Sequence, residues 1–158
     1  MLEPGECWRC IGAADIAPVL PVLAGLPFIQ PNHQSSGKYQ AQVVLRAHFP
    51  KELEDLRAAV EAIVGGHTAR AILRKLAPGQ HIPPHVDDWM PAEAEWTRYQ
   101  LPLVTDPRII MRWPDDGQEV HLMAGHLYEV RYDRLHEVVN NGLVDRIHMQ
   151  IDQVGAAR

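Results

Sequence analysis

Cysteine is scarce in this sequence, and Cys7 and Cys10 are the only two. Their Cys-x-x-Cys spacing is compatible with a redox pair or half of a zinc site, but there is no second pair to complete a zinc knuckle. A redox pair also favours the start of a helix after a strand, which the acidic leader does not offer. We therefore expect both cysteines to be incidental thiols.

Excess positive charge and long hydrophobic runs are missing as well. The formal net charge is -5, so the composition provides no basic face for nucleic acid. The apolar run 17–29 is broken by Pro18, Pro21 and Pro27, and residues 1–6 lack the basic start of a secretory signal. These observations predict a cytoplasmic protein without a nucleic-acid or membrane partner, and they leave the oligomeric state open.

The length of the chain is that of one domain. A chain of 158 residues, 46% of them apolar, can bury its own core without disulfides. No repeat or low-complexity tract divides it. We expect a single domain over residues 1–158, in which the main strand-rich core spans about 69–153.

Hydrophobic patterning separates an N-terminal third from a strand-rich remainder. Residues 39–49 alternate between apolar and polar side chains, which predicts a half-buried strand. After Pro50, apolar residues recur at helical spacing until Gly65, which predicts an amphipathic helix packed on a sheet. From Ala69 onward, turn residues separate five to seven short strands. The class is α+β but mainly β, with N-terminal helices on the sheet of a sandwich, barrel or jelly roll.

The segment His85-Val86-Asp87 is the first that suggests chemistry. The two prolines before it force extended backbone, in which residues two apart point to the same side. His85 and Asp87 can therefore offer an imidazole and a carboxylate to one metal ion. The same prolines exclude a helical His-x-x-x-His zinc site with His81, which we interpret as a bystander.

A third ligand and an anion site lie in the segment 136–152. We interpret this segment as two strands joined by an Asn-Gly turn, that is, as a β-hairpin. An odd loop, 141–143, puts His136 and Arg146 on the same face, one diagonal step apart, whereas an even loop sends Arg146 to the opposite face. Arg146 stands where a structural barrel would have an apolar residue, and a buried guanidinium needs an anionic partner.

These residues together predict a specific cofactor pair. Two histidines and one carboxylate on one face are typical of non-haem Fe(II) oxygenases. We therefore expect His85, Asp87 and His136 to bind Fe(II). 2-Oxoglutarate suits both sites, because its keto-acid end can chelate the iron while its far carboxylate pairs with Arg146.

Several further sequence motifs lie between Ile72 and Asp152. Taken together with the candidate ligands, they resemble the aspartyl/asparaginyl β-hydroxylase family of 2-oxoglutarate oxygenases, a group that includes bacterial free-amino-acid hydroxylases. The motifs are Leu-Ala-Pro-Gly at 76–79, Arg-Tyr-Gln-Leu-Pro-Leu-Val-Thr at 98–105, Gly-His-Leu-Tyr-Glu-Val at 125–130, His-x-Val-x-Asn at 136–140 and Arg-Ile-His at 146–148.

The resemblance implies a double-stranded β-helix, the cupin-like form of the jelly roll. It also implies that the two histidines bind iron and that Arg146 binds the distal carboxylate of 2-oxoglutarate. Arg98 and Gln100 fall where the family has residues that contact the cosubstrate or the substrate. Bacterial members keep a carboxylate ligand that vertebrate peptide hydroxylases lack, and Asp87 favours the complete triad here.

The implied reaction is hydroxylation of an unactivated carbon with Fe(II), 2-oxoglutarate and O2. The expected substrate is a small molecule or a peptide: an amino acid, an amino-acid derivative, or a side chain such as Asp, Asn or Pro. One alternative is a cupin-like metalloenzyme that does not use 2-oxoglutarate, which Arg146 argues against. The other is a non-catalytic ligand-binding β-barrel, which the complete triad argues against.

Other polar and aromatic residues near these motifs have structural as well as functional interpretations. Asp88 points away from Asp87 in an extended run, so it is the weaker candidate ligand. Trp89 and Trp96 flank the expected mouth of the site, where they either line a substrate pocket or only pack. Three histidines are compatible with supporting the metal-bound imidazoles or with ordinary structural roles, namely His121, His126 and His148.

Overall fold

The computed structural model describes residues 2–29, 41–44, 50–66, 68–87 and 95–155. These residues form one α-helix, α1, and ten strands, β1 to β10. The helix spans Lys51–Val64. The strands are β1 Trp8–Ala13, β2 Ala41–Val44, β3 Thr68–Leu76, β4 His81–His85, β5 Trp96–Val104, β6 Ile109–Trp113, β7 Gln118–Val120, β8 His126–Val130, β9 His136–Asn140 and β10 Arg146–Val154.

The strands assemble into two antiparallel sheets. The larger sheet has the order β1-β8-β5-β10-β3-β2, and the smaller has the order β4-β9-β6-β7. Sequence neighbours such as β9 and β10 lie in different sheets, which is how a jelly roll is connected. The predicted mainly β jelly roll is confirmed. From residue 68 onward there are eight strands rather than five to seven, because short ones such as β7 resemble turns in sequence.

Helix α1 lies where the sequence predicts it. Pro50 precedes its first turn, and Gly65, with φ of +70°, ends it in a left-handed conformation that favours glycine. The buried residues of α1 belong to the apolar cluster that covers one face of the larger sheet. Leu23, within a short 3-10 turn at Leu20–Gly25, packs in the same cluster. The helix and sheet residues of this layer include Leu53, Leu56, Val60, Leu73, Leu101, Met149 and Ile151.

Alternation along β10 separates this apolar layer from a polar interior. The odd-numbered residues of β10, at 147, 149 and 151, join the helix layer. Its even-numbered residues lie on the opposite face, and two of them, Arg146 and Gln150, line a cavity together with residues of the smaller sheet. A second apolar cluster, which includes Ile82, Trp113 and Val138, fills part of the space between the sheets.

The predicted β-hairpin between residues 136 and 152 is wrong. β9 pairs with β4 and β6, whereas β10 pairs with β3 and β5. The reason lies at Asn140, which is fully buried and whose side-chain amide donates to the carbonyl oxygens of Leu76 at 2.8 Å and Val144 at 3.0 Å. Asn140 thus fixes a corner at which the chain crosses between sheets. As a result, His136 and Arg146 lie on opposite walls of the interior.

Part of the predicted strand 39–49 is present as β2, and the rest of it lies outside the described residues. Among the described helices, none has the length and apolar character needed to cross a lipid bilayer.

Candidate active site

β4 and β9 bring the predicted ligands together. His85 at the end of β4 is directly opposite His136 at the start of β9, and their ring centroids are 4.3 Å apart. Asp87 lies two residues after the end of β4, and its amide donates to the carbonyl oxygen of Tyr132 at 3.1 Å. One ligand atom from each of His85, Asp87 and His136 lies within 4.8 Å of the other two. The structure therefore gathers the predicted triad at one point.

Hydrogen bonds to the backbone fix how both imidazoles face this point. Nδ1 of His85 donates to the carbonyl oxygen of Pro83 at 2.8 Å, and Nδ1 of His136 donates to that of Arg134 at 2.8 Å. Since a carbonyl oxygen only accepts, each Nδ1 carries a proton, and Nε2 is the nitrogen that faces the other ligands and is available to a metal. Burial lowers the pKa of His136 to about 4, which keeps it neutral. Two imidazoles that direct Nε2 to one point, together with a carboxylate, fit Fe(II).

The carboxylate of Asp87 is tied into a buried charge network. Arg98 donates to Asp87 through one terminal nitrogen and to Oδ1 of Asp152 through Nε at 2.7 Å. Asp152 is fully buried and also accepts from Arg70 at 2.7 Å. Burial alone would raise the pKa of Asp87, but the charge and hydrogen bond of Arg98 outweigh it, so this pKa is lowered. Asp87 is therefore ionised, as a metal ligand must be.

Arg146 supplies an unmatched positive charge in the same cavity. Arg146 is 4% exposed. Among the described residues, no hydrogen bond or carboxylate is found at its guanidinium. Burial, together with the nearby charge of Arg74, lowers its pKa to about 9. A buried cation without a carboxylate partner is costly. The cavity thus favours a ligand that brings an anionic group to Arg146, which is what the distal carboxylate of 2-oxoglutarate would do.

The remaining predicted site residues lie on the wall of this cavity. Arg98 and Gln100 on β5 line it, together with the triad and Arg146. The amide oxygen of Gln100 accepts from Nδ1 of His148 at 3.2 Å. Arg98 also stacks on the ring of Tyr132, with 4.9 Å between its guanidinium carbon and the ring centroid. The structure therefore brings all six predicted residues to one cavity between the sheets.

Residues 35–155 match the family model described as aspartyl/asparaginyl β-hydroxylase. The chain belongs to this family. The predicted resemblance is confirmed, and so are the predicted class of enzyme, a 2-oxoglutarate-dependent hydroxylase, and its cofactors Fe(II) and 2-oxoglutarate. The family match is longer than the segment from Ile72 to Asp152 in which the motifs were seen. No curated protein matches the chain in sequence.

Solved structures of similar fold include three proteins of low sequence identity. A viral collagen prolyl hydroxylase from Paramecium bursaria Chlorella virus-1 has a TM-score of 0.62 at 11% identity, over 96% of this chain and 98% of that one. A Pseudomonas putida prolyl-4-hydroxylase has a TM-score of 0.60 at 14% identity, over 94% and 92%. HygX from Streptomyces hygroscopicus, solved with nickel and 2-oxoglutarate, has a TM-score of 0.63 at 9% identity, over 94% and 83%. At such identities the likeness shows a shared fold.

Several residues of this hydroxylase family member that sequence reasoning set aside lie away from the triad. His81 is on the surface, where Nε2 is 2.7 Å from Oε2 of Glu137. His121 and His126 bond to the backbone carbonyl oxygens of Ile109 and Ala124 and do not line the cavity. Both cysteines are free thiols, Cys7 buried and Cys10 exposed. Asp88 and Trp89 lie outside the described residues, and Trp96 lines an open groove beside the cavity.

Sequence reasoning missed the partners that hold the site in place. Asp152, Arg70 and Tyr132 all contact Arg98 or its partner, yet none was singled out. The alternation of β10 was the available signal, because it places Asp152 on the same face as Arg146. The pairing of Asp152 with Arg98 depends on the register between β10 and β5, and nothing in the sequence specified that register.

Proposed function

We propose that this family member binds Fe(II) through His85, Asp87 and His136 and binds the distal carboxylate of 2-oxoglutarate through Arg146. The proposed reaction is hydroxylation of an unactivated carbon in an amino acid, an amino-acid derivative or a peptide side chain such as Asp, Asn or Pro. The chain would do so as one catalytic domain. The unpaired cysteines favour a cytoplasmic location, where thiols stay reduced.

One observation carries the proposal: two imidazoles, an ionised carboxylate and an unmatched guanidinium share one buried cavity. The first three groups satisfy a metal ion that leaves coordination positions open. The fourth calls for an anion. A 2-oxo acid with a second carboxylate at its far end meets both requirements in a single molecule.

When bound, Fe(II) with 2-oxoglutarate and O2 supplies the oxidant that hydroxylates the substrate, while the cosubstrate is converted to succinate and CO2. The chain's own residues provide position and a dry surrounding. Apolar side chains of the two sheets line the cavity beside the ligands and limit the access of water. These are Ile82, Met111, Val130 and Val138.

The open groove beside the cavity supports an amino-acid-like substrate. Arg98 and Tyr132 line both the cavity and the groove, so the groove is adjacent to the cavity that holds the triad. The groove also carries the opposite charges of Arg131 and Asp133, which lie 3.6 Å apart as an ion pair. Charges of both signs suit a zwitterion or the backbone and side chain of a peptide.

The test is a turnover assay with a panel of free amino acids and short peptides containing Asp, Asn or Pro. Mass spectrometry would measure succinate and any product with one added oxygen atom, and labelled O2 would identify the source of that atom. The proposal expects both products in equal amounts for at least one substrate. The matched controls are His85→Ala, which should be inactive, and His81→Ala on the same strand, which should be active. Equal activity of both variants would contradict the proposed site.

A further inference from the structure

The connection between β8 and β9, residues 131–135, touches two of the three candidate metal ligands. The carbonyl oxygen of Tyr132 accepts from the amide of Asp87 at 3.1 Å. The carbonyl oxygen of Arg134 accepts from Nδ1 of His136 at 2.8 Å. The connection is neither helix nor strand, and such segments are ordinarily more mobile than the strands that they join. The orientation of both ligands therefore depends on what holds this connection in place.

Trp113, the last residue of β6, anchors the start of the connection. Its indole Nε1 donates to the carbonyl oxygen of Arg131 at 2.9 Å. The amide of Arg131 donates to the carbonyl oxygen of Cys7 at 2.8 Å, so both backbone polar groups of this residue are bonded. Trp113 is fully buried and packs in the second apolar cluster. A close-packed side chain of this size cannot follow a moving loop, so it fixes the position of Arg131.

An ion pair anchors the end of the connection. Arg134 donates to Oδ1 of Asp116, whose side chain is 14% exposed. Asp116 is the last residue of the 3-10 turn Pro114–Asp116, which follows Trp113 directly. Both anchors therefore belong to one short stretch of chain, 113–116. They hold the connection on either side of its middle residues.

We infer that Trp113 and Asp116 are positioning residues of the metal site: they fix the connection 131–135, whose carbonyl oxygens in turn orient Asp87 and His136. This inference rests on the proposed function, because it takes the triad to be the metal site. Neither residue lines the cavity that holds the triad, so both act through the connection and not on the ion. Outer partners of this kind set the affinity and the geometry of a metal site without supplying a ligand.

The test uses Co(II) as the probe, in titrations of the metal-free protein followed by visible absorption. Co(II) takes the same kinds of nitrogen and oxygen ligands as Fe(II), and its d–d bands depend on their number and arrangement. Each titration gives a dissociation constant and a spectrum at saturation. Trp113→Phe removes the indole N–H but keeps a buried ring. Arg134→Gln breaks the ion pair with Asp116 but keeps the backbone carbonyl at position 134. Circular dichroism in the near ultraviolet would confirm that each variant is folded.

Each variant has a matched control. Leu53→Ala removes buried apolar volume from the layer of α1, so it reports the effect of lost stability alone. Arg108→Gln breaks an ion pair with Asp106, in which the arginine is 51% exposed, against 42% for Arg134, and each aspartate is 14% exposed. His85→Ala removes a proposed ligand and shows whether Co(II) occupies the triad.

Trp113→Phe should weaken Co(II) binding about tenfold or more, as expected for losing an outer partner of a metal ligand. Arg134→Gln should weaken it about two- to fivefold, the effect of a partly exposed ion pair. Both variants should also change the d–d bands at saturation. Leu53→Ala and Arg108→Gln should change neither the dissociation constant nor the bands.

Two results would overturn the inference while leaving the proposed function intact. One is wild-type affinity with wild-type bands in the folded variants, and Arg134→Gln decides alone if Trp113→Phe does not fold. The other is equal weakening by Leu53→Ala and Trp113→Phe, which would mean that Co(II) binding only follows the stability of the fold. Wild-type protein that binds no Co(II), or that binds it no more tightly than His85→Ala does, would instead contradict the proposed function itself.

Discussion

Asp87 accepts a hydrogen bond from Arg98 through Oδ2, and its Oδ1 lies 3.7 Å from Nε2 of His85. The two oxygens of one carboxylate therefore face different partners, one a cation and the other the imidazole of a candidate metal ligand. Arg98 is held in turn by Asp152. The position of the candidate carboxylate ligand thus depends on an ion pair deeper in the sheet.

Asp152→Asn tests that dependence. Asp152 is fully buried and pairs with both Arg70 and Arg98, so the variant leaves buried positive charge without its counter-charge. We expect the free energy of unfolding to fall by about 3–5 kcal/mol. Urea unfolding of the metal-free protein measures it. Asp55→Asn, which breaks a solvent-exposed pair with Lys51, is the control and should leave stability unchanged. Equal stability of the two variants would show that the buried network does not stabilise the fold.

His85→Ala and His81→Ala test the assignment of the metal ligands. Both residues lie on β4, but His85 faces His136 whereas the side chain of His81 is 44% exposed and pairs with Glu137. Losing a ligand should weaken Fe(II) binding beyond the ~10- to 100-fold that loss of an outer partner causes. Anaerobic equilibrium dialysis would measure the Fe(II) affinity of both variants. The assignment fails if His81→Ala loses as much affinity as His85→Ala.

Leu53→Ala tests the packing of α1 on the larger sheet. Leu53 is fully buried in the apolar layer, and its truncation should lower the free energy of unfolding by about 2–5 kcal/mol. Ile63, on the same helix and 40% exposed, provides the comparison. Ile63→Ala should cost less than half as much. A reversed order would mean that the helix packs through another face.

Stability of the metal-free protein should fall in mild acid because of its buried histidines. The ordinary pKa of a histidine is 6.5. Burial holds the pKa of His148 well below this value. Burial also lowers the pKa of His136, to about 4. Below pH 6.5 the unfolded chain takes up protons at these histidines that the folded protein does not. The stability that the two neutral histidines contribute is therefore fully present above pH 6.5 and is lost as the pH falls. Each group contributes a slope of up to about 1.4 kcal/mol per pH unit.

His148→Gln should therefore reduce the slope of unfolding free energy against pH, measured by urea titrations between about pH 6.5 and 5. His126→Ala is the control, since that side chain bonds to a neighbouring carbonyl oxygen near the surface. An unchanged slope in His148→Gln would mean that His148 is protonated in the folded protein.

Much of the fold could be predicted because its signals are local. Pro50 and Gly65 mark the ends of α1, and alternation along β10 marks its buried and polar faces. The triad and Arg146 could be predicted from local sequence. Residues two apart in extended backbone point to the same side, so His-x-Asp can offer two ligands to one metal, and an arginine on a buried strand needs an anionic partner. The pairing of β9 with β10 was not, since an Asn-Gly sequence suits a hairpin as well as a corner. Only the buried contacts of Asn140 decide between them.

The central claim is that one cavity holds both Fe(II) and 2-oxoglutarate. The most direct measurement is anaerobic visible absorption of the Fe(II)-loaded protein during titration with 2-oxoglutarate, beside Arg146→Met and Asp87→Ala. We predict a saturable charge-transfer band for the wild type. It should require about ten- to a hundredfold more 2-oxoglutarate in Arg146→Met, the cost of losing a charge-assisted pair, and should weaken in Asp87→Ala. Confirmed iron binding without any such band in the wild type would contradict the account.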